Sequence, residues 1–172
     1  DYQGQRLSLH NYFFAKSVDA LKPGGILALV TSRFTLDNQN AGFREFLAER
    51  ADFLGAIRLP SDAFAKEGAK VVTDVVLLRK RFPGQAPQHV NNHWLETQPI
   101  TVDGEQVLVN RYFAGYPQFV LGEYSLDGRL YDAGYSVKST GDFGSQLYDS
   151  VEQLTPAPSV QVPIPAAPPA PA

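Results

Sequence analysis

The stretch Lys22-Pro23-Gly24-Gly25-Ile26-Leu27-Ala28-Leu29-Val30-Thr31-Ser32-Arg33 decides how the chain is read. Its apolar run, Ile26 to Val30, is far short of the ~20 residues a membrane helix needs. It suits a strand that is apolar on both faces, and such a strand belongs inside a sheet covered on both sides. Pro23 disfavours helix at the residue before it, and the two glycines free a turn, so a helix must stop near Lys22. Thr31-Ser32-Arg33 closes the strand with polar groups.

Working outward, residues 7–22 read as a helix whose stripe is Leu7, Phe14, Val18 and Leu21, with Tyr12 and Phe13 flanking it. A second helix is expected over 38–50, capped by Asp37 or Asn38, with Phe43, Phe46 and Leu47 as its buried face. Phe53–Leu59 reads as a strand stopped by Pro60. Ser61-Asp62-Ala63-Phe64 makes a turn, a loop carries Lys66, Glu67, Gly68 and Lys70, and Val71–Arg79 is a β-branched strand. No helix separates these last two strands, so they are expected to pair as an antiparallel hairpin. The pattern is an α/β crossover unit that ends in that hairpin. Asp74 falls mid-strand and needs either a partner or a wet face.

The chain changes character along its length, which gives an expected partition into 1–82, a linker over 83–93, an extension over 94–154 and a tail over 155–172. In the extension, Ile100-Thr101-Val102 and Glu105–Val109 flank Asp103-Gly104, a two-residue hairpin signal. A short helix is expected over Asn110–Gly115. Asp142 caps a helix with Phe143, Leu147, Val151 and Leu154 on one face. Gly122, Gly128 and Gly134 lie among tyrosines in what read as ordered loops. The tail holds seven of the 13 prolines and reads as disordered or polyproline-like.

Composition excludes several function classes. The 172 residues carry 15 Lys+Arg against 18 Asp+Glu, a net charge of −3, so bulk charge does not drive nucleic-acid binding. There is no cysteine, hence no disulfide, thiolate metal site or cysteine nucleophile. The N-terminus has no signal-peptide pattern, and a cytoplasmic location with no membrane partner is expected. Methionine is absent, and the chain reads as cut from something longer. No Gly-x-Gly fingerprint, phosphate loop, nucleophile elbow or Asn-Pro pair occurs. His89 and His93 sit at helical spacing in a polar stretch without a nearby carboxylate and read as solvated, and His10 reads as structural. No metal site is expected.

Leu21–Phe34, Arg58-Leu59-Pro60-Ser61-Asp62-Ala63-Phe64 and Val72–Lys80 resemble segments of adenine-N6-specific DNA methyltransferases, above all the helicase-fused methylases of phage, plasmid and integrative elements. Asn110-Arg111-Tyr112-Phe113, Val120-Leu121-Gly122 and Ser125–Tyr131 resemble the segment after the methylase core. The resemblance covers roughly residues 7–154. It implies the C-terminal half of a class I, Rossmann-like methyltransferase sheet ending in an antiparallel hairpin, then a small Gly/Tyr-rich α+β segment and a disordered Pro/Ala tail. It also implies S-adenosylmethionine as cofactor of the whole enzyme and methyl transfer to a flipped adenine. The cofactor and Asn-Pro-Pro-aromatic motifs are absent here, so no cofactor and no catalytic residue are expected for this chain alone.

By the same resemblance Phe64 stacks on the target base, and Lys66, Lys70, Arg79, Lys80 and Arg81 contact DNA. The expected partners are DNA and the missing N-terminal half, on the same or another polypeptide. Two other readings stay open: a non-enzymatic DNA- or protein-binding module, and a methyltransferase for protein or RNA. A half-sheet would leave Ile26–Val30 as an unpaired edge, which tends to aggregate or recruit a strand.

Overall fold

A computed structural model of the chain describes residues 7–68, 70–129 and 134–154. The expected disordered tail, 155–172, lies outside the described residues. The chain begins with α1 (Leu9–Ala20), whose Phe14, Ala15 and Val18 are buried. Lys22-Pro23 ends it as expected, and Gly24, at φ 81°, turns the chain into β1 (Ile26–Ser32). Two short helices follow, α2 (Phe34–Asp37) and α3 (Gly42–Ala48). Then come β2 (Ala51–Arg58) and β3 (Thr73–Lys80).

The single helix expected over 38–50 is therefore two pieces. Asp37 does not cap the second piece; its carboxylate is drawn inward by Arg58 at 2.9 Å, and this breaks the helix before Asn38. The expected hairpin is present, with β2 antiparallel to β3 and a bulge between Phe53 and Gly55. β1 also pairs antiparallel with β3, giving the order β1-β3-β2. β1 and β2 thus run parallel on either side of β3, and the fold is mixed α/β with small antiparallel sheets.

Residues 94–154 do not stand apart. Trp94 stacks on Phe53 of β2, centroids 4.7 Å apart, and Tyr112 meets the same ring edge-on. β4 (Thr97–Val102) and β5 (Glu105–Asn110) form the expected hairpin, with Asp103 and Gly104 both at positive φ. That is the backbone a two-residue turn of matching twist requires. α4 (Arg111–Gly115) follows, capped by the Asn110 side chain.

The glycine-rich loops contain a small ribbon of β6 (Glu123–Ser125) and β7 (Ser136–Lys138). Gly122, at φ 148°, is required there, since a Cβ would lie 2.1 Å from the Lys138 carbonyl oxygen. α5 (Phe143–Gln153) is capped by Asp142, which accepts the Ser145 N–H. One hydrophobic cluster runs from Phe14 through Phe53, Trp94 and Tyr112 to Val137, with members on both sides of residues 83–93.

Candidate functional site

Two features stand out: a buried ionic knot that shapes a cleft, and a face of β1 that no described residue covers.

The knot is centred on Arg58, the last residue of β2, whose side chain is fully buried. Its Nε and Nη2 donate to the two oxygens of Asp74 at 2.7 and 2.8 Å, which supplies the partner that Asp74 required. Nη2 also donates to Asp37 Oδ1 at 2.9 Å, and Nη1 donates to the Tyr135 hydroxyl. Tyr135 in turn donates to Asp37, which further accepts the Asn110 N–H at 2.9 Å and Arg33 Nη1 at 3.4 Å. Arg58 also lies 4.2 Å above the Phe113 ring.

Burial alone would lower the Arg58 pKa, but Asp37 and Asp74 more than offset it and hold the guanidinium charged well above its ordinary range. Burial pulls the Asp74 carboxyl upward and Arg58 pulls it down. The two-pronged bond to a permanently charged guanidinium keeps that pair ionised. Burial raises the Tyr135 phenol well above its ordinary value, so it stays a neutral donor. Every charge in the knot is matched by another, which makes it a clamp between α2, β2, β3, β5 and Tyr135 just before β7.

Beside the knot, over the C-terminal end of β1, opens a cleft of about 290 Å³. Arg33, Lys70, His10, Phe34 and Tyr135 line it, with the hydroxyls of Ser32, Ser61 and Ser136. The Arg33 guanidinium is held between the Phe34 and Tyr135 rings, 4.3 and 4.4 Å from their centroids. Ser61 is fixed by a reciprocal pair of 2.9 Å bonds with the Val137 backbone. Burial lowers the pKa of His10 below its usual 6.5, so the ring is neutral at pH 7.

The cleft continues outward past Lys70 to Asp62, Asp127 and Lys138, the last two paired at 2.8 Å. Arg33, Phe34 and Tyr135 were not singled out from the sequence. Only the polar Thr31-Ser32-Arg33 ending of the apolar strand pointed there.

The residues expected to contact DNA are not brought together. Lys66 and Lys70 are exposed in the β2–β3 connection. Arg79, Lys80 and Arg81 lie at the opposite end of β3, roughly 25 Å away at the rise of a strand. There they tie the fold: Arg81 binds Asp52 at 3.0 Å and the Ala48 carbonyl at 2.7 Å, Arg79 lies 3.5 Å from Asp52, and Lys80 lies 3.7 Å from Asp19. Phe64 is half-buried against the core and does not line the cleft.

His89 is not a solvated partner of His93. Its Nδ1 accepts the Phe53 N–H at 3.0 Å, and its ring packs 5.8 Å from Trp94. No group of three or more potential metal ligands occurs among the described residues. None of their helices is long and apolar enough to cross a membrane.

The second feature follows from register. Leu27 and Leu29 lie opposite Leu78 and Val76, while Ile26, Ala28 and Val30 lie opposite Arg79, Leu77 and Val75. Directly paired residues share a face. The first set packs toward the core. The second is open: Ile26 is 61% and Val30 49% exposed. On α1, which packs on β1, Leu9 and Phe13 are 74% and 58% exposed. The expectation that β1 lies inside a sheet covered on both faces is thus not met among the described residues. β3 takes the central place, and β1 is an edge.

No family model matches the chain, and no solved structure matches it. It is similar to the Defense against restriction protein B of Escherichia phage P1, 29% identical over 136 residues. Those residues are 78% of this chain and 6% of the phage protein, so the chain spans a small part of that relative's length. This overturns the expected membership in the adenine-N6 DNA methyltransferases. The resemblance rested on Leu21–Phe34, Arg58–Phe64 and Val72–Lys80 in order, and their Lys-Pro-Gly-Gly before an apolar strand is a generic way to end a helix and turn into a sheet. What the chain resembles is a stretch of a phage protein named for defence against restriction.

Proposed function

We propose that the chain is a non-enzymatic protein-binding module, the flank of a larger α/β sheet that accepts a further strand of polypeptide along β1. The observation that carries this reading is the open state of β1. Its seven residues are apolar or hydroxylic, with no charge, proline or bulge to guard the edge. Native sheets normally blunt their edges with such devices, and an unguarded edge is a template for pairing. The uncovered Ile26, Ala28 and Val30 stripe extends the same surface.

The occupant is an extended apolar segment of polypeptide, because an uncharged edge offers nothing to a phosphate backbone. In the phage relative the matching stretch is embedded in a far longer chain, which can supply such a segment. By that likeness the module works in the setting of restriction and its evasion. Sedimentation velocity tests the reading. The isolated chain is expected to self-associate, its own edge standing in for the natural strand. Ala28→Lys with Val30→Lys is expected to give a monomer with unchanged circular dichroism. A wild-type chain that stays monomeric at every concentration, with β1 amides as protected from exchange as those of β3, would overturn it.

A further inference from the structure

We infer that the cleft over the end of β1 binds a nucleotide, through its phosphate and its flat ring. Among the described residues, the inner cleft is lined by two cations, Arg33 and Lys70, by the hydroxyls of Ser32 and Ser61, and by no carboxylate, while the Ser136 hydroxyl donates to the Ser125 and Asp127 carbonyls. That set donates hydrogen bonds to an anion and offers it no like charge. Arg33 is preorganised for the task. Its side chain is only 11% exposed, Asp37 takes one of its donors, and two aromatic rings fix its plane. A guanidinium held this way meets a phosphate without losing much rotamer freedom.

Lys70 approaches from the exposed β2–β3 connection and supplies a mobile point charge. Among the described residues, the acidic groups nearby are accounted for. Asp37 and Asp74 are consumed within the knot, Asp127 is paired with Lys138, and Asp62 lines only the outer part.

The ring specificity comes from the other wall. Phe34 is 44% and Val71 40% exposed where they line the cleft. They give an apolar wall, with the Phe34 ring its one planar group, beside the cationic end. A base stacks on an aromatic side chain favourably whichever base it is, because every base has a flat π-face. A ligand with a phosphate at one end and a planar ring at the other fills both halves. The cleft is small, about 290 Å³, which suits one nucleotide unit. The unit is either a free mononucleotide or one residue of a nucleic-acid strand. This inference does not depend on what pairs with β1.

Titration followed by backbone amide NMR tests it, with adenosine monophosphate, inorganic phosphate and a short single-stranded DNA as probes. The mononucleotide is expected to shift the amides of Arg33, Ser61 and Ser136. Lys70→Gln is expected to weaken it about tenfold, the loss of one charge-assisted contact. Phe34→Ala is expected to weaken it about fivefold or more. Both side chains are partly exposed and outside the knot, so both variants should fold. Tighter binding of the oligonucleotide through the same residues identifies a strand as the source, and preference for the mononucleotide identifies a free nucleotide. No shift in the cleft with either, affinity unchanged in both variants, or inorganic phosphate binding as tightly as the mononucleotide would overturn the inference.

Discussion

β1 and β2 flank the same neighbour, β3, and run in the same direction. β1 reads Ile-Leu-Ala-Leu-Val-Thr-Ser and leaves three of its seven residues exposed. β2 reads Ala-Asp-Phe-Leu-Gly-Ala-Ile-Arg, with two charges and a glycine, and buries all eight residues. Hydrophobicity alone would have assigned the burial the other way round. The difference lies in what stands next to each strand. β2 has α3 on one side, Trp94 and Tyr112 stacked around Phe53, and Asp37, Asp74 and Tyr135 closing on Arg58. β1 has β3 on one edge and α1 packed against it, and among the described residues its other edge is open. A strand is buried by its neighbours, and a charged residue can be buried when the neighbours neutralise it.

The sharpest way to break this contrast is at Arg58. Arg58→Ala leaves Asp74 and Asp37 buried without their cation and is expected to cost about 3–5 kcal/mol, read as a lower urea midpoint. A loss below 1 kcal/mol, on the order of an exposed ion pair, would show that water already reaches the knot.

Two isoleucines then compare the strands directly. Ile57→Ala in β2 is expected to cost about 2–5 kcal/mol, as a core truncation does. Ile26→Ala in β1 is expected to stay within about 0.5 kcal/mol in the isolated chain. A large loss at Ile26 would mean that its face is covered in solution, by a second copy or otherwise.

The smallest expected effect is a pH dependence at His89. Burial lowers its pKa from 6.5 and outweighs the opposing pull of Asp52, with Arg81 adding a smaller push downward. The unfolded chain then binds a proton that the folded chain refuses, so stability is level above about pH 6.5 and declines as the pH falls below it. His89→Gln is expected to flatten part of that decline, and thermal unfolding across mildly acidic pH checks it. His10, lowered by burial as well, adds a decline of the same sign that remains in this variant.

Much of the local structure was legible because it rests on local rules. The Lys22-Pro23 stop, the Asp103-Gly104 turn and the Asp142 cap depend on residues within a few positions of one another. The antiparallel pairing of β2 and β3 followed from the missing helix between them. The cleft was not legible, because Arg33 and Tyr135 meet only through a knot that also needs Asp37, Arg58 and Asp74. Lys66 and Lys70 looked equivalent to Arg79, Lys80 and Arg81 in the sequence, yet a strand of eight residues separates the groups.

The amino-acid sequence by itself determined most of the helices, strands and turns, though not the break before Asn38 or the β6–β7 ribbon, since propensity, capping and glycine or proline constraints act over a few residues. Tertiary structure alone decided that the charged strand is the buried one and the apolar strand the open one. Burial depends on which distant groups arrive to pack against a surface, and hydrophobic pattern records only a residue's preference.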